Sequence, residues 1–555
     1  MEMRLETMLT PEYVEKYRDV WPNKTILDYL RACVDRVPDK VAIEDRKGRY
    51  TFRELAAAVD RVALGLMAHG VGPGDVVSFQ LPNWNEFVIL HFAVTRLGAI
   101  SNPLIPIYRD REISYMVRMA EAKVLVIPDE FAGFDYPAMV ERLRPEWPAL
   151  ETVFVVGDRV PAGMRPFAEL LEEPWEQWRD PRVLDDIVID PNDVTEIVFT
   201  SGTTGDPKGV MHTHNSLCTS TEYFVERLKM TPDDVVFMAS TFAHQTGFLY
   251  GARIQVHVGC TAIYQDVWNP LEFLDAIEHK GVSITMAATP YLYDAVHVEG
   301  MEKRDLSAFR AFVTAGAPVP PALVKEAAER LPGSVLAGWG QSENGLVTLT
   351  FLNDPEEKLT QTSGYPFPGM ELLVVDDEGR PCPAGVEGDL WCRGPAMFVG
   401  YLKNIDMTRN QFVGDWFKTG DRAILDEDGY VKLAGRSSDI IRRRGEQVPV
   451  TLLEDVLHEH PDIAVAQVVA MPSPDPEEGE RGCAFVSLRP GAKPFTIDRM
   501  REFLRERGIR QQDWPERLEV VREFPRTPSG KIQKYVLRRM IREKLAAEGV
   551  LPAKG

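Results

Sequence analysis

The feature that most restricts the fold of this chain is a repeated change of hydrophobic period. Residues 51–84 read TFRELAAAVDRVALGLMAHGVGPGDVVSFQLPNW. Thr51 and Glu54 have capping-box spacing, Leu55, Val59, Val62 and Leu66 form a helical stripe, and Gly70 ends it. The turn VGPGD then leads into VVSFQL, an apolar run of strand length. The same alternation returns around 87–128 and again between about 272 and 340. Helix and strand in alternation specify an α/β fold, and its recurrence predicts two α/β layers. After about residue 360 the texture changes to short strands with dense turn signals, MELLVVDDEGRPCPAGVEGDLWCRG, which predicts a β-rich subdomain. A second change near residue 436 predicts a small α+β C-terminal domain, so the expected division is 1–436 and 437–555.

A chain of 555 residues is too long for one hydrophobic core, and its composition is that of a folded globular protein. The formal net charge of −21 disfavours an extended nucleic-acid or anionic-membrane surface, and an anionic substrate must meet local positive charge. The first residues lack a basic start followed by an apolar core, and no stretch has the uncharged length of a bilayer span, so a cytoplasmic enzyme is expected. Six scattered cysteines without C-x-x-C spacing suggest neither a disulfide framework nor a zinc site.

Four short stretches could carry chemistry. TSGTTGDPKGV, residues 200–210, has the composition of a surface turn, but its glycines, hydroxyls and lysine equally suit a phosphate cradle. It is not the common nucleotide P-loop, because Pro207 sits where that pattern needs its second glycine. GWGQSENG, residues 338–345, reads as a turn with a solvated Glu343 or as a carboxylate for Mg²⁺. In GDRAILDEDGYVKLAGR, residues 420–436, the Asp-Gly turn predicts a hairpin that brings Asp421 opposite Arg436, either as a surface ion pair or as a ribose clamp. PRTPSGK, residues 525–531, places Lys531 on a loop before the last amphipathic helix, solvated or reactive.

In that order, with GDWFKTGD and GRSSDII between them, these motifs resemble the adenylate-forming superfamily of acyl-CoA synthetases, luciferases and peptide-synthetase adenylation domains, over about residues 25–545. The resemblance implies that the β-rich part is a distorted barrel and that the C-terminal domain is mobile. It implies an enzyme that joins a carboxylic acid to ATP as acyl-AMP, with release of pyrophosphate, and then passes the acyl group to a thiol. By resemblance, Thr200, Ser201, Gly202, Thr203, Thr204, Gly205 and Lys208 grip the β and γ phosphates of ATP. Gly316, Ala317, Gly338, Trp339, Gly340, Gln341 and Ser342 contact the nucleotide, Asp421 and Arg436 orient the ribose, and Glu343 binds Mg²⁺. Lys531 is the adenylation lysine, bridging the attacking carboxylate and the α-phosphate, and is expected to be catalytic together with Glu343, Thr203 and His244.

The family hinge falls at Ser438, with Asp439 following, although relatives usually carry Asp or Lys there. Val450 and Leu452 also depart from the family pattern, in a segment that carries thiol-tunnel contacts. In RRRGE, residues 442–446, three arginines stand beside Gly445, which by resemblance lies near the pantetheine tunnel; arginines suit the phosphates of a nucleotide thiol and so favour coenzyme A as acceptor, while a solvated basic strand end reads equally well. No carrier segment follows residue 550, so a stand-alone ligase is expected, and a separate carrier-protein thiol is the alternative acceptor. By resemblance, STFAHQTGFLYG and TAGAPV form the acid pocket, with His244, Gly247, Ala315, Gly316, Trp339 and Gly340 around the acyl group; His244 reads alternatively as a packed core histidine. These segments contain no Lys, Arg or acid apart from Glu343, so an apolar cyclic, aromatic or medium-chain acid is expected. The texture is most similar to the branch of cyclohexanecarboxylate-CoA and carnitine-type CoA ligases. Partners are thus the acid, ATP and CoA, without nucleic acid or an integral membrane segment, and a homodimer is left open.

Overall fold

The structure, a computed structural model, describes residues 5–200, 207–316, 319–443, 446–473, 479–526 and 532–550; the side chains of Ser438, Glu446 and Gln447 lie outside this description. Eight strands form one sheet. Its centre, Val194–Thr200, Ile100–Pro103, Val76–Phe79, Val124–Pro128 and Thr152–Val156, is parallel, and Lys208–Thr213 and Gly400–Tyr401 extend it in antiparallel fashion. A second sheet of nine strands has a parallel centre from Ser334–Gln341 through Ala311–Ala315, Ile284–Ala287 and Val235–Met238 to Thr261–Tyr264 and Val41–Glu44.

The expected capping box forms. Thr51 starts the helix Phe52–Ala68, its backbone N–H donating to Glu54 Oε2 at 2.8 Å, while the Glu54 N–H donates to Thr51 Oγ1 at 3.3 Å. Leu55, Val59, Val62 and Leu66 from this helix join Phe87, Ile89 and Val94 of Asn85–Arg96 in one continuous core that also takes in residues of both large sheets. The two α/β layers read from the sequence are therefore present and share that core.

The β-rich segment is a five-stranded sheet built from Glu371–Val375, Gly388–Arg393, Phe412–Val413, Trp416–Leu425 and Val431–Arg436. Beyond it, Ile463–Pro472, Glu480–Leu488 and Arg517–Val520 make a three-stranded sheet against the helices Val450–His458, Ile497–Glu506 and Lys534–Ala547, with separate apolar clusters. The chain is thus a large α/β unit followed by a small α+β domain. No helix among the described residues is long and apolar enough to cross a membrane.

Candidate active site

In open parallel sheets, functional groups collect at the carboxyl ends of the strands, where side chains and loops converge beyond the backbone ladder. Thr200, Ala287, Ala315 and Gln341 all end strands in this way. Thr200 pairs in register with Lys208, so the strands on either side of residues 201–207 lie antiparallel within the sheet. Ser201, Gly202, Thr203, Thr204 and Gly205 lie outside the described residues, as do Ala317, Gly445 and Lys531. Lys208 Nζ stands 5.1 Å from the ring centre of Tyr401, whose strand pairs with the lysine's own.

GWGQSENG is the tip of a β-hairpin formed by Ser334–Gln341 and Gly345–Leu349. The register slips between Trp339 and Gly340, and a Cβ on Gly340 would fall 1.8 Å from the Gly345 carbonyl oxygen. Only glycine fits there, and the slip re-aims the neighbouring side chains. Glu343 occupies the tip. Tyr401 donates its hydroxyl to Glu343 Oε1 at 2.9 Å, and burial with this carboxylate alongside pushes the phenol well above its ordinary range. The Ser342 carbonyl accepts from His212 Nε2 at 2.6 Å, which fixes the ring's proton on that nitrogen and leaves Nδ1 3.0 Å from Ser216 Oγ. Burial lowers the His212 pKa to about 4, so the ring is a neutral strut under the turn.

The expected hairpin at 420–436 forms with Asp421 and Arg436 as register partners. Arg436 Nε lies 2.7 Å from Asp421 Oδ1, and Oδ2 accepts from both Trp339 Nε1 and Gln341 Nε2 at 2.9 Å. Asp421 is buried whereas the arginine is half-exposed. This is more than a surface ion pair, since a carboxylate buried beside two neutral donors joins three strands around one point. The buried indole N–H of Trp339 is satisfied by Asp421, because an unpaired N–H there would be costly.

A cavity is lined by Ser240, Thr241, His244, Thr246, Ala288, Tyr291, Ala315 and Gly316. His244, Ala315 and Gly316 are therefore on its wall, while Gly247, Trp339 and Gly340 are not among the described lining residues. Gly247 acts behind the wall: a Cβ there would meet the Thr241 carbonyl oxygen at 2.2 Å, so glycine lets the segment fold back on itself. A turn of π-helix, Phe248–Ala252, follows directly. Ala315 is the register partner of Gly338, which sets the pocket one strand away from Trp339 and the Asp421 cluster. Tyr291, Thr241 and Ser240 add hydroxyls to a wall the sequence presented as apolar; nothing in the hydrophobic pattern of a helix start marks Tyr291 as a pocket residue.

Glu343 fits Mg²⁺ as a single-carboxylate ligand, the usual arrangement for an ion that keeps water and binds substrate phosphates. Among the described residues no group of three or more His, Cys, Asp or Glu could hold a metal, so phosphate oxygens and water would have to supply the remaining ligands. At the joint, Ser437–Asp439 form a 3₁₀ turn in which Asp439 pairs with Arg538 of the last helix and Ser437 Oγ donates to Asp389 Oδ1 at 2.8 Å. In the helix that follows, Val450 is buried and Leu452 is exposed.

Residues 30–402 match the AMP-binding enzyme family, and residues 452–531 match the AMP-binding enzyme C-terminal domain. The chain belongs to the AMP-binding enzyme family. As a member it is an adenylate-forming ligase that binds ATP or AMP. It is similar to the medium-chain fatty-acid–CoA ligase of Escherichia coli (strain K12), 32% identical over 536 residues that cover 96% of this chain and 93% of the relative. It is equally similar to the 2,3-dihydroxybenzoate-AMP ligase of Bacillus subtilis (strain 168), 32% identical over 541 residues and 97% of both chains. Among solved structures, the anthranilate CoA ligase AuaEII in complex with anthranoyl-AMP superposes with a TM-score of 0.86 at 26% identity, covering 96% of this chain and 99% of that one.

Proposed function

We propose that this AMP-binding enzyme is a cytoplasmic, AMP-forming acid:CoA ligase for an apolar cyclic, aromatic or medium-chain carboxylic acid. The observation that carries this reading is the adjacency of the His244 pocket to the Trp339–Asp421–Arg436 cluster through the register pair Ala315 and Gly338. An uncharged slot beside a carboxylate–guanidinium pair suits an acid that must meet a nucleotide. We place the domain boundary at 436/437.

In this reading Asp421 accepts from the ribose hydroxyls and Arg436 lies beside them. Thr200, Ser201, Gly202, Thr203, Thr204, Gly205 and Lys208 donate to the β and γ phosphates, while the backbone around Gly316, Ala317 and 338–342 lines the nucleotide. Mg²⁺, when bound at Glu343, would neutralise phosphate charge. Lys531 brings a compact positive charge to the acid's carboxylate and the α-phosphate, so that the carboxylate oxygen bonds to phosphorus as pyrophosphate departs. Positioning and charge neutralisation carry this step. The small domain then turns about Ser438 and Asp439, withdrawing Lys531 and admitting the thiol near Gly445. The thiol gives up its proton to solvent, its sulfur bonds to the acyl carbon, the bond from that carbon to the phosphate oxygen breaks, and AMP leaves.

Purified protein with Mg-ATP, CoA and a pool of aliphatic, alicyclic and aromatic acids, read by mass spectrometry, tests the proposal. An acyl-CoA product supports it. Accumulating acyl-AMP without thioester favours transfer to a carrier-protein thiol, a second reading supported by the similarity to an aryl-AMP ligase.

A further inference from the structure

A buried charged group outside the site described so far connects its two halves. Glu196 lies within the strand Val194–Thr200, fully buried, four residues before Thr200. Residues two apart in a strand share a face, so Glu196, Val198 and Thr200 point the same way, with Glu196 and Thr200 roughly 13 Å apart along the strand. Its Oε2 accepts from Gln245 Nε2 at 2.7 Å, and Gln245 is itself buried. Gln245 stands between His244 and Thr246, both of which line the acid pocket.

The pocket segment is fastened from the other side by Asn83, which donates to the Ser240 carbonyl at 2.9 Å and accepts from the Phe242 N–H at 2.9 Å. Asn83 fixes the start of the segment, and Gln245 fixes the part that presents His244. A leucine at either position of the Glu196–Gln245 pair would fill similar space, so packing alone does not call for polar groups buried here. Burying them is costly unless the contact has a use. Burial raises the Glu196 pKa to about 8, which leaves the group mostly a neutral acid at neutral pH and a close mimic of glutamine.

We propose that Glu196 is a positioning residue for adenylate formation: through Gln245 it ties the acid-pocket wall at His244 to the strand that carries the ATP-phosphate loop, and so sets the acid against the nucleotide. The inference rests on the site reading above but not on the identity of the thiol.

The test is acyl-AMP formation measured by pyrophosphate exchange without thiol, using cyclohexanecarboxylate, benzoate or octanoate, whichever the wild type adenylates fastest. Glu196→Leu and Gln245→Leu should each raise the acid KM about tenfold and leave the ATP KM within about twofold. The double variant should be no worse than either single one, because both remove the same contact. Glu196→Gln should restore the acid KM to within about threefold, whereas Gln245→Asn, one methylene shorter, should not. If the leucine variants do not fold, the Glu196→Gln and Gln245→Asn contrast decides alone.

Additive losses overturn the proposal, as does a fall in kcat with both KM values unchanged, which marks a merely structural role. His244→Ala separates the two layers of argument: if it leaves the acid KM unaltered, the assignment of the pocket fails; if it raises the acid KM while Glu196→Leu does not, only the present inference fails. Hydrogen exchange without substrate gives a further readout should none of the three acids react. Exchange across 240–252 should rise in Gln245→Asn and not in Glu196→Gln, and equal behaviour of the two overturns the proposal.

Discussion

Asp421 and Arg436 face one another across a hairpin with Arg436 Nε 2.7 Å from Asp421 Oδ1, and the other carboxylate oxygen is engaged by Trp339 and Gln341 from a different sheet. The two partners are unequal, since Asp421 is buried and the arginine is half-exposed. Asp421→Ala leaves the N–H groups of Trp339 and Gln341 without their acceptor, at about 1–3 kcal/mol for each group that stays buried. Arg436→Ala removes only the half-exposed, solvated partner and leaves Asp421 its two neutral donors, so its cost to stability is the smaller of the two. Both variants should raise the ATP KM about tenfold or more in pyrophosphate exchange, but only Asp421→Ala should clearly lower the melting temperature. Equal thermal losses would contradict this division of roles.

Tyr401 serves two neighbours through different parts of its side chain. Its hydroxyl donates to Glu343 Oε1 at 2.9 Å, while its ring lies under Lys208 Nζ at 5.1 Å. Tyr401→Phe keeps the ring and frees the carboxylate, so the Mg²⁺ concentration for half-maximal activity should shift about threefold or more while the ATP KM changes little. Tyr401→Ala also removes the cation–π contact, and the ATP KM should then rise by about three- to tenfold. Titrating Mg²⁺ and ATP separately in both variants checks the assignment. Identical behaviour would mean that the hydroxyl has no part in holding Glu343.

These relationships were legible from the sequence to different degrees. The Asp-Gly turn fixed the register of Asp421 and Arg436, because a short hairpin leaves little freedom in pairing. Alternation of helix and strand gave both α/β layers, since period and strand length are local properties. Tyr401 and His212 were not found. Each acts through a long-range contact, with Glu343 and the Ser342 carbonyl respectively, and nothing local in VGYLKN or VMHTHN reports which turn will come to lie beside them. Trp339 is expected beside both the acid and the nucleotide, and its position between Gly338 and Gly340 does not say that its indole N–H meets Asp421 after the register slip. Glu196 escaped notice for the opposite reason: one acid in VTEIVFT reads as a solvent-facing strand residue, whereas the strand has sheet neighbours on both sides and the carboxylate is fully buried.

Lys531→Ala tests the two-conformation mechanism. A lysine that acts only while carboxylate attacks phosphorus should be needed for acyl-AMP formation and not for thiol transfer. The variant should lose about 100-fold or more in pyrophosphate exchange, yet convert supplied acyl-AMP and CoA to acyl-CoA within about threefold of the wild-type rate. Comparable loss of both half-reactions would contradict withdrawal of the lysine between steps. Asp439→Ala, which removes the partner of Arg538 at the joint, should affect thiol transfer more than adenylation if, as proposed, reorientation of the small domain precedes only the former.

Glu196 also makes a prediction about stability against pH. Its carboxyl keeps its proton to about 8 in the folded chain, because burial disfavours the charged form, whereas the unfolded chain releases it near the ordinary value of 4.5. Unfolding between these values therefore releases a proton, and raising the pH favours the unfolded state; the contribution is present below 4.5 and lost as pH rises to about 8. His212 and His214 act in the opposite sense, since burial lowers their pKa values to about 4 and about 3, and unfolding takes up protons below their ordinary value of 6.5. Both histidines are present in the wild type and in Glu196→Gln, so their effect cancels in the comparison of the two proteins and the difference reports the carboxyl alone. Between pH 6.5 and 8 the wild type should lose on the order of 2 kcal/mol relative to Glu196→Gln, which has no proton to release. Melting profiles of the two proteins at half-unit pH steps should separate steadily from about pH 4.5 to about pH 8, the wild type falling relative to the variant throughout. A constant offset would mean that Glu196 is ionised throughout, and that the neighbouring Arg253, also fully buried, compensates its charge from within the core.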